Sequence, residues 1–493
     1  MPTHFTVEVD WTHNGTWSDE TARVEQVRIR SGFERAGASV AAVGRCTLTL
    51  RNHDRRYSPG NADGPLYGQL LPRRRVRVRA TDGVHTWTLF WGYIERIVPE
   101  AGAQGRGLCE IACVDGLDLL ARQRIGVAYT DGKPVTQAVA ELVGAVYTPP
   151  ATAYQDNGDT LTHYGRAWQP ERTTALDALR DVCRAVYGRF FLARDGTATY
   201  WARDNLQNPA APIVLHLDPS TPLTGLDVQM SVEDVINLAQ VTVFPVETVG
   251  APATLWQAHT VLRLAPGQTR VLHALFRDEN GERVAATDIQ PLQPHTDYAV
   301  CDRRDGHGYD YTTDPAFAIQ MDVEATRAAL TLTNTATGPL YVTLLQVRGR
   351  PIRTYDPITL EATDIGSQSA YERRSASLVL AMQSDALFAQ SYADYLIHRH
   401  SVPTLAAHRV DVRGREILGG VNVFSVGLMA KVQISDPQSG LETAAHRVYA
   451  LEYTLEASGW RVIWWLERAD PQPYWLLEQT GYGELDSATY LGF

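Results

Sequence analysis

The sequence predicts a mainly β, multidomain chain with an α/β insertion and an inserted β-sandwich. Apolar and polar residues alternate with period two in stretch after stretch from Phe5 to Leu466, the pattern of strands with one buried and one wet face. Between about residues 99 and 210 the period changes, and Glu171 to Tyr187 carries the clearest helical stripe of the chain. The 493 residues suffice for about three packed domains.

Taken in order, residues 1–98 alternate at Phe5–Val7–Val9–Trp11, at Val24–Val27–Ile29, over Thr47–Leu50, and as Arg-Val-Arg-Val-Arg-Ala over Arg75–Ala80. A longer strand follows from Trp87 to Ile97. Asn52 to Pro72 is rich in Gly, Pro, Asn and Asp, and its length exceeds the ~12–15 residues of ordinary loops. In the α/β unit, residues 99–210, Leu108–Val114 runs as a strand into a helix from Asp115 to Arg122, and Pro134 opens a second helix. Leu176, Leu179, Val182, Cys183 and Val186 form the stripe of the third helix. Thr173 or Thr174 is its expected N-cap and Gly188 its expected C-terminal stop. Asp195-Gly196 then predicts a hairpin turn. Residues 211–247 return to strands, and 248–352 alternate regularly between Gly, Pro and Asn turns, the pattern of a sandwich. Residues 353–375 read as a polar connector, Asp385–His400 as a helix, and 407–467 as strands. Residues 470–493, aromatic and turn-rich, read as an arm.

Composition narrows the function. The formal charge of −11 argues against general nucleic-acid binding, which needs a basic footprint. The basic residues are almost all arginine, Lys133 and Lys431 being the two lysines; GC-rich coding and a preference for Arg forks at interfaces both explain this. Five dispersed cysteines do not make a disulfide scaffold and read as buried thiols. No apolar run is long enough to span a membrane, and Met1–Asp10 does not read as a secretory signal.

Catalytic motifs are scarce. The sequence has no Gly-x-Ser-x-Gly elbow, no phosphate-binding Gly-rich loop before a Lys, and no His-Glu-x-x-His helix. His398 and His400 diverge on a helix and do not chelate one ion. The loop of Asp302, Asp305, His307, Asp310 and Asp314 offers oxygen ligands to a cation, against the simpler reading of a solvated loop. Trp464-Trp465 fits a core-plus-edge pair better than a sugar platform. The expectation is no catalytic residue, no metal and no cofactor.

A longer pattern points elsewhere. Leu48-Thr49-Leu50-Arg51-Asn52-His53-Asp54-Arg55-Arg56-Tyr57-Ser58-Pro59-Gly60-Asn61, then Pro65-Leu66-Tyr67-Gly68 and Leu89-Phe90-Trp91-Gly92-Tyr93-Ile94, resembles the N-terminal barrel of tail-tip or baseplate hub (minor tail) proteins of long-tailed bacteriophages. Ala112–Leu120, Ala175–Leu179 with Gly188–Phe191, and Asp234–Val241 resemble successive parts of the same family. Leu332-Thr333-Asn334 with Tyr341–Arg350 resembles its inserted sandwich, and Asp385–Pro403 its last hub domain.

The resemblance implies two tube-like β-barrel hub domains, residues 1–98 with 211–247 and residues 376–469 with helix 385–400. It implies a homotrimer whose six barrels cap the hexameric tail tube with pseudo-sixfold symmetry, adapt it to the threefold tip and line the channel for DNA ejection. The implied partners are a tail tube or distal tail protein ring, a tape measure protein, and tail fibre or tip proteins. DNA would pass without sequence-specific binding, along a wall that the acidic balance would make repellent. The place would be the distal end of the tail in the virion, after synthesis in the bacterial cytoplasm. Arg73, Arg75, Arg77 and Arg79 are the candidate subunit-interface residues, with simple solvation as the other reading. A tail-associated cell-wall hydrolase and a carbohydrate-binding adhesion protein at the tail tip are the alternative readings.

Overall fold

The computed structural model describes residues 3–101, 105–208 and 210–469. Its largest feature is a thirteen-stranded sheet. One half contains, in spatial order, Val24–Gly32, Ala42–Arg51, Leu108–Val114, Thr86–Pro99, Arg75–Thr81, His4–Asp10 and Ser18–Asp19. The other contains Leu441–Glu456, Gly459–Arg468, Ala406–Arg413 and Gly225–Gln229, with Lys431–Asp436 and Ile213–Leu217 branching from Leu441–Glu456.

The halves meet where Val24–Gly32 pairs antiparallel with Leu441–Glu456, from Gln26 opposite Glu456 to Gly32 opposite Ala450. The long strand can do this because it divides one of its edges. Its first residues pair with Lys431–Asp436 and its last with Val24–Gly32. Gly32 closes the seam at φ 111°, and a Cβ there would lie 2.4 Å from the Tyr449 carbonyl oxygen. Apolar residues of both halves fill one continuous core, from Val7, Val27 and Ile29 to Leu451, Tyr453 and Trp464.

Register shifts at Val24/Gln26, Val78/Arg79, Ile94/Arg96 and Val448/Ala450 bend the strands around this core. Among the described residues, main-chain pairing leaves both halves open rather than closing them into barrels: the sheet runs out at Ser18–Asp19 on one side and Gly225–Gln229 on the other. The long Asn52–Pro72 loop packs back on the first half. Buried Tyr57 donates its hydroxyl to Glu20 at 2.5 Å, and Glu20 also accepts from Trp11 Nε1 at 2.8 Å and Arg56 Nη2 at 2.9 Å.

Several sequence expectations are redrawn. Leu108–Val114, read as the entry to the α/β unit, is a central strand of the first half. Residues 211–247, read with the first barrel, pair elsewhere. Ile213–Leu217 and Gly225–Gln229 join the second half, while Leu238–Val243 is the middle strand of a separate three-stranded sheet. The connector 353–375 supplies that sheet with Ile358–Thr363 and a short helix, Ile365–Tyr371. Helix Ala386–His400, read inside the second barrel, covers the same sheet through Ala389, Tyr392, Ala393 and Leu396. Alternation reports which face of a strand is buried but carries no information about its partner, so strands of equal apolarity are easily assigned to the wrong sheet.

The α/β unit holds helices Leu117–Arg122, Val135–Gly144 and Ala175–Ala185 against the strands Arg189–Leu192, Ala198–Trp201 and Thr152–Tyr154. Thr174 caps its third helix, accepting from the Asp177 N–H at 3.1 Å. Gly188 differs from its expected role. Tyr187 takes the left-handed turn, at φ 55°, and Gly188 is needed because a Cβ would lie 2.6 Å from the Tyr200 ring. Between residues 248 and 352 the long strand Leu340–Thr354 collects five short partners, and a second sheet of Thr269–Leu275, Arg327–Asn334 and Phe317–Glu324 packs over it. Buried Asn334 donates to the carbonyls of Leu264, Ala265 and Gly338, at 3.1, 3.0 and 3.0 Å. The segment 470–493, read as an arm, lies outside the described residues.

Asn237 ties the small sheet to its neighbours. Its amide donates to the Glu372 carbonyl at 2.7 Å and to Ser367 Oγ at 3.2 Å, and its carbonyl accepts from the Arg374 N–H at 2.7 Å. Asn237→Ala leaves buried backbone groups unpaired and is expected to cost about 2–3 kcal/mol of stability in urea unfolding. A loss below about 0.5 kcal/mol would show that water replaces the side chain at no cost.

Candidate assembly surface

Strand Arg75–Thr81 buries Val76, Val78 and Ala80 and sends its arginines to the opposite face. The structure does not leave these arginines bare. Glu8 stands opposite Arg77 in register. Its carboxylate accepts from Arg77 Nε at 2.7 Å and Nη2 at 3.1 Å, and lies 2.7 Å from Arg79 Nη2. The Arg77 guanidinium also lies over the Trp17 ring at 4.2 Å, and Trp17 packs against Trp91 with ring centres 5.4 Å apart.

Arg73 is separated from the other three. It precedes the strand in the left-handed region, at φ 67°, and its guanidinium lies 3.1 Å from Asp118. Arg75 faces Asp10, but Asp10 accepts from the backbone N–H groups of Asn14 and Gly15, at 3.1 and 2.9 Å. Among the described residues Arg75 has no ion pair. Arginines therefore outnumber carboxylates on this face, with Arg75 the least satisfied. Alternation around Val7 and Val9 puts Glu8 on the wet face and could have revealed it. Nothing in the sequence points to Trp17.

Behind Arg73 lies the Asp115-Gly116-Leu117-Asp118 turn. Asp118 binds both Arg73 and Arg122, the latter at 2.7 Å. Asp115 accepts from the Gly44 and Leu117 N–H groups, at 2.9 and 3.0 Å. Burial pushes the Asp115 carboxyl up to about 7, against the pull of those two N–H groups; Asp118 adds to the rise and Arg45 opposes it.

A second set of ion pairs ties the units together. Arg189 of the α/β unit, itself buried, binds Glu467 of the second half, whose side chain is nearly so. Burial alone would raise the Glu467 carboxyl, but the charge and hydrogen bonds of Arg189, with the Gly37 N–H and Arg399, hold it below the ordinary range. Arg194 donates to the Phe424 carbonyl at 2.7 Å and to Tyr453 Oη at 2.8 Å, while within the second half Arg461 pairs with Asp411. Across the seam, Arg30 pairs with Glu452.

The other sequence candidates resolve into structure. In the 302–314 loop the carboxylates cap local turns: Asp302, Asp305, Asp310 and Asp314 accept from the N–H groups of Tyr309, His307, Thr312 and Ala316, at 2.8–3.0 Å. Among the described residues no group of three His, Cys, Asp or Glu side chains could hold a metal ion. Trp464 is fully buried, whereas Trp465 donates to Glu452 at 3.1 Å. All five cysteines are free and buried. No helix of the described residues is long and apolar enough to cross a membrane.

With this geometry in view, two solved structures align along almost the whole chain. A tail protein from Neisseria meningitidis MC58 matches with a TM-score of 0.52 at 13% identity, over 95% of this chain and 97% of its own. The 43 kDa tail protein of prophage MuSo2 from Shewanella oneidensis matches with a TM-score of 0.52 at 10% identity, over 95% of this chain and 99% of its own. The chain has the fold of these tail proteins. No family model matches it, and no curated protein sequence does.

The buried Asp115 makes a pH signature. Its folded-state affinity for a proton exceeds the ordinary unfolded one near 3.9, so its contribution is complete below about pH 4 and is lost as pH rises through 7. Asp115→Asn stays uncharged throughout. Its Tm relative to the parent chain is expected to rise between pH 5 and pH 8, and an unchanged difference would show that Asp115 is ionised at both.

Proposed function

We propose that this chain is a structural, non-enzymatic hub protein of a phage-type tail. Three copies form a ring with pseudo-sixfold symmetry that caps a hexameric tail tube, adapts it to the threefold tip and leaves a channel for DNA. The observation that carries this reading is the seam: one polypeptide contributes two β modules side by side in one sheet. Three such chains supply six modules, and closed cyclic assembly requires each to present one surface to the next copy and a different one to the copy before. The whole-length likeness to two tail proteins supports the same reading.

In this reading the hub modules are the two sheet halves, and the α/β unit and the sandwich lie outside the ring they build. The Arg75–Arg79 face, with its surplus of cations, meets carboxylates of the next copy. Arg73, held by Asp118, positions the edge of that face. The tail tube or distal tail ring, the tape measure and the fibres or tip proteins are its neighbours at the distal end of the tail. The net charge of −11 suits a conduit that lets DNA slide rather than grip.

Native mass spectrometry of the full chain, with negative-stain views down the axis, tests this. The expected species is a ring of three 54.6 kDa chains with six lobes around an opening. Arg75→Glu with Arg79→Glu is expected to shift the ring to monomer without lowering Tm by more than a few degrees. A chain that stays monomeric, a ring of another number, or a trimer indifferent to both charge reversals would contradict the proposal.

A further inference from the structure

The centre of the first half holds two thiols face to face. Cys46 of Ala42–Arg51 stands opposite Cys113 of Leu108–Val114 in the antiparallel register, and both side chains are buried and free. Two residues along, the Asp115 N–H donates to the Gly44 carbonyl at 3.0 Å. That bond puts Cys46 and Cys113 at a position where facing residues exchange main-chain hydrogen bonds and their Cα atoms lie about 5.5 Å apart. A disulfide spans Cα atoms about 4.4–6.8 Å apart, so these strands can be bridged without leaving their register.

The two thiols already interact. Burial raises the Cys46 thiol well above its ordinary range, and the hydrogen bond and charge of Cys113 raise it further. Among the described residues no other two cysteines face each other: Cys109 stands opposite Leu50 and Pro99, Cys183 lies on the helix Ala175–Ala185, and Cys301 lies in the sandwich.

The pair is in line with the seam. On its other side Cys46 faces Ile29, and Ile29 faces Tyr453 of the second half. One cross-strand row of the shared core therefore runs from the thiols to the junction of the halves, and in a close-packed interior a shift of Cys46 is felt by Ile29 and Tyr453.

We propose that Cys46 and Cys113 are a redox couple that closes to a cross-strand disulfide and sets the tightness of the seam. The oxidant is a small-molecule disulfide such as oxidised glutathione. One cysteine gives up its proton and attacks the oxidant's S–S bond, which forms a mixed disulfide and releases one small thiol. The second cysteine, deprotonated in turn, displaces the other small thiol. Two protein S–H bonds and the oxidant's S–S bond break, one protein S–S bond forms, and both protons and both electrons leave on the two released thiols.

Facing side chains at a hydrogen-bonded position stand farther apart than at the alternate one. The bond therefore draws the strands together and is of the strained, readily reversed kind. Burial keeps the Cys46 thiol protonated and away from the oxidant, so exchange proceeds through local opening of the two strands. The scaffold thus has one state in a reducing compartment and another in an oxidising one.

The test uses the intact chain without substitutions, so nothing perturbs the core. It is treated with oxidised glutathione in urea below the unfolding transition, the remaining thiols are blocked with N-ethylmaleimide, and the peptides are mapped without reduction. The expected product carries one disulfide, Cys46 to Cys113, with Cys109, Cys183 and Cys301 alkylated. Its rate of formation rises with urea, and reduced glutathione reverses it. Hydrogen exchange at Val24–Gly32 and Leu441–Glu456 slows about tenfold in the oxidised chain. Five alkylated cysteines at every urea concentration below the transition, a bond that involves Cys109, or a Cys46–Cys113 bond that leaves exchange at the seam unchanged would each overturn the proposal.

Discussion

The pairing of Val24–Gly32 with Leu441–Glu456 is the constraint on which the rest of this structure depends. It joins segments more than four hundred residues apart in sequence, so everything between them must leave the sheet and come back. The α/β unit, the sandwich and the small sheet are therefore excursions from one scaffold. The shared core makes the joint expensive to open, because Val27 and Ile29 on one side and Leu451 and Tyr453 on the other are withdrawn from water together. Loop-closure entropy opposes such long-range contacts but grows only slowly with length, so a well-packed seam can carry it.

Arginine side chains join several of the units. Arg189 reaches Glu467, Arg194 reaches Phe424 and Tyr453, Arg283 reaches Glu171, and Arg447 reaches the Asn205 carbonyl at 2.7 Å. A planar fork can satisfy two acceptors at once and loses little by partial burial, which suits positions where separate units meet. The two lysines follow a different pattern: Lys133 pairs locally with Glu141 at 2.6 Å, and Lys431 sits within the second half. The arginine bias that coding composition alone could explain is thus put to structural use.

Much of this was legible in the sequence. The helix at Ala175–Ala185 announced itself through its stripe and its Thr174 cap, and the 248–352 strands through their turns. What sequence could not convey was partnership. Leu238–Val243 alternates as well as any strand of the large sheet, yet its neighbours are Ile358–Thr363 and Ser375–Leu380, whose exposed faces look like linker. Glu8 was visible as a wet-face acid, but only strand register shows that it serves both Arg77 and Arg79. Cys46 and Cys113 read as dispersed, because only strand register brings them face to face.

Hydrogen–deuterium exchange of the intact chain, read by mass spectrometry with increasing urea, bears most directly on the claim that both halves are one cooperative scaffold. Amides of Val24–Gly32, Ala42–Arg51, Leu441–Glu456 and Gly459–Arg468 should be the slowest and should lose protection together at one urea concentration. If residues 24–114 open at one concentration and 406–468 at another, with the seam amides following either half alone, the halves are independent domains that merely touch, and the account is wrong.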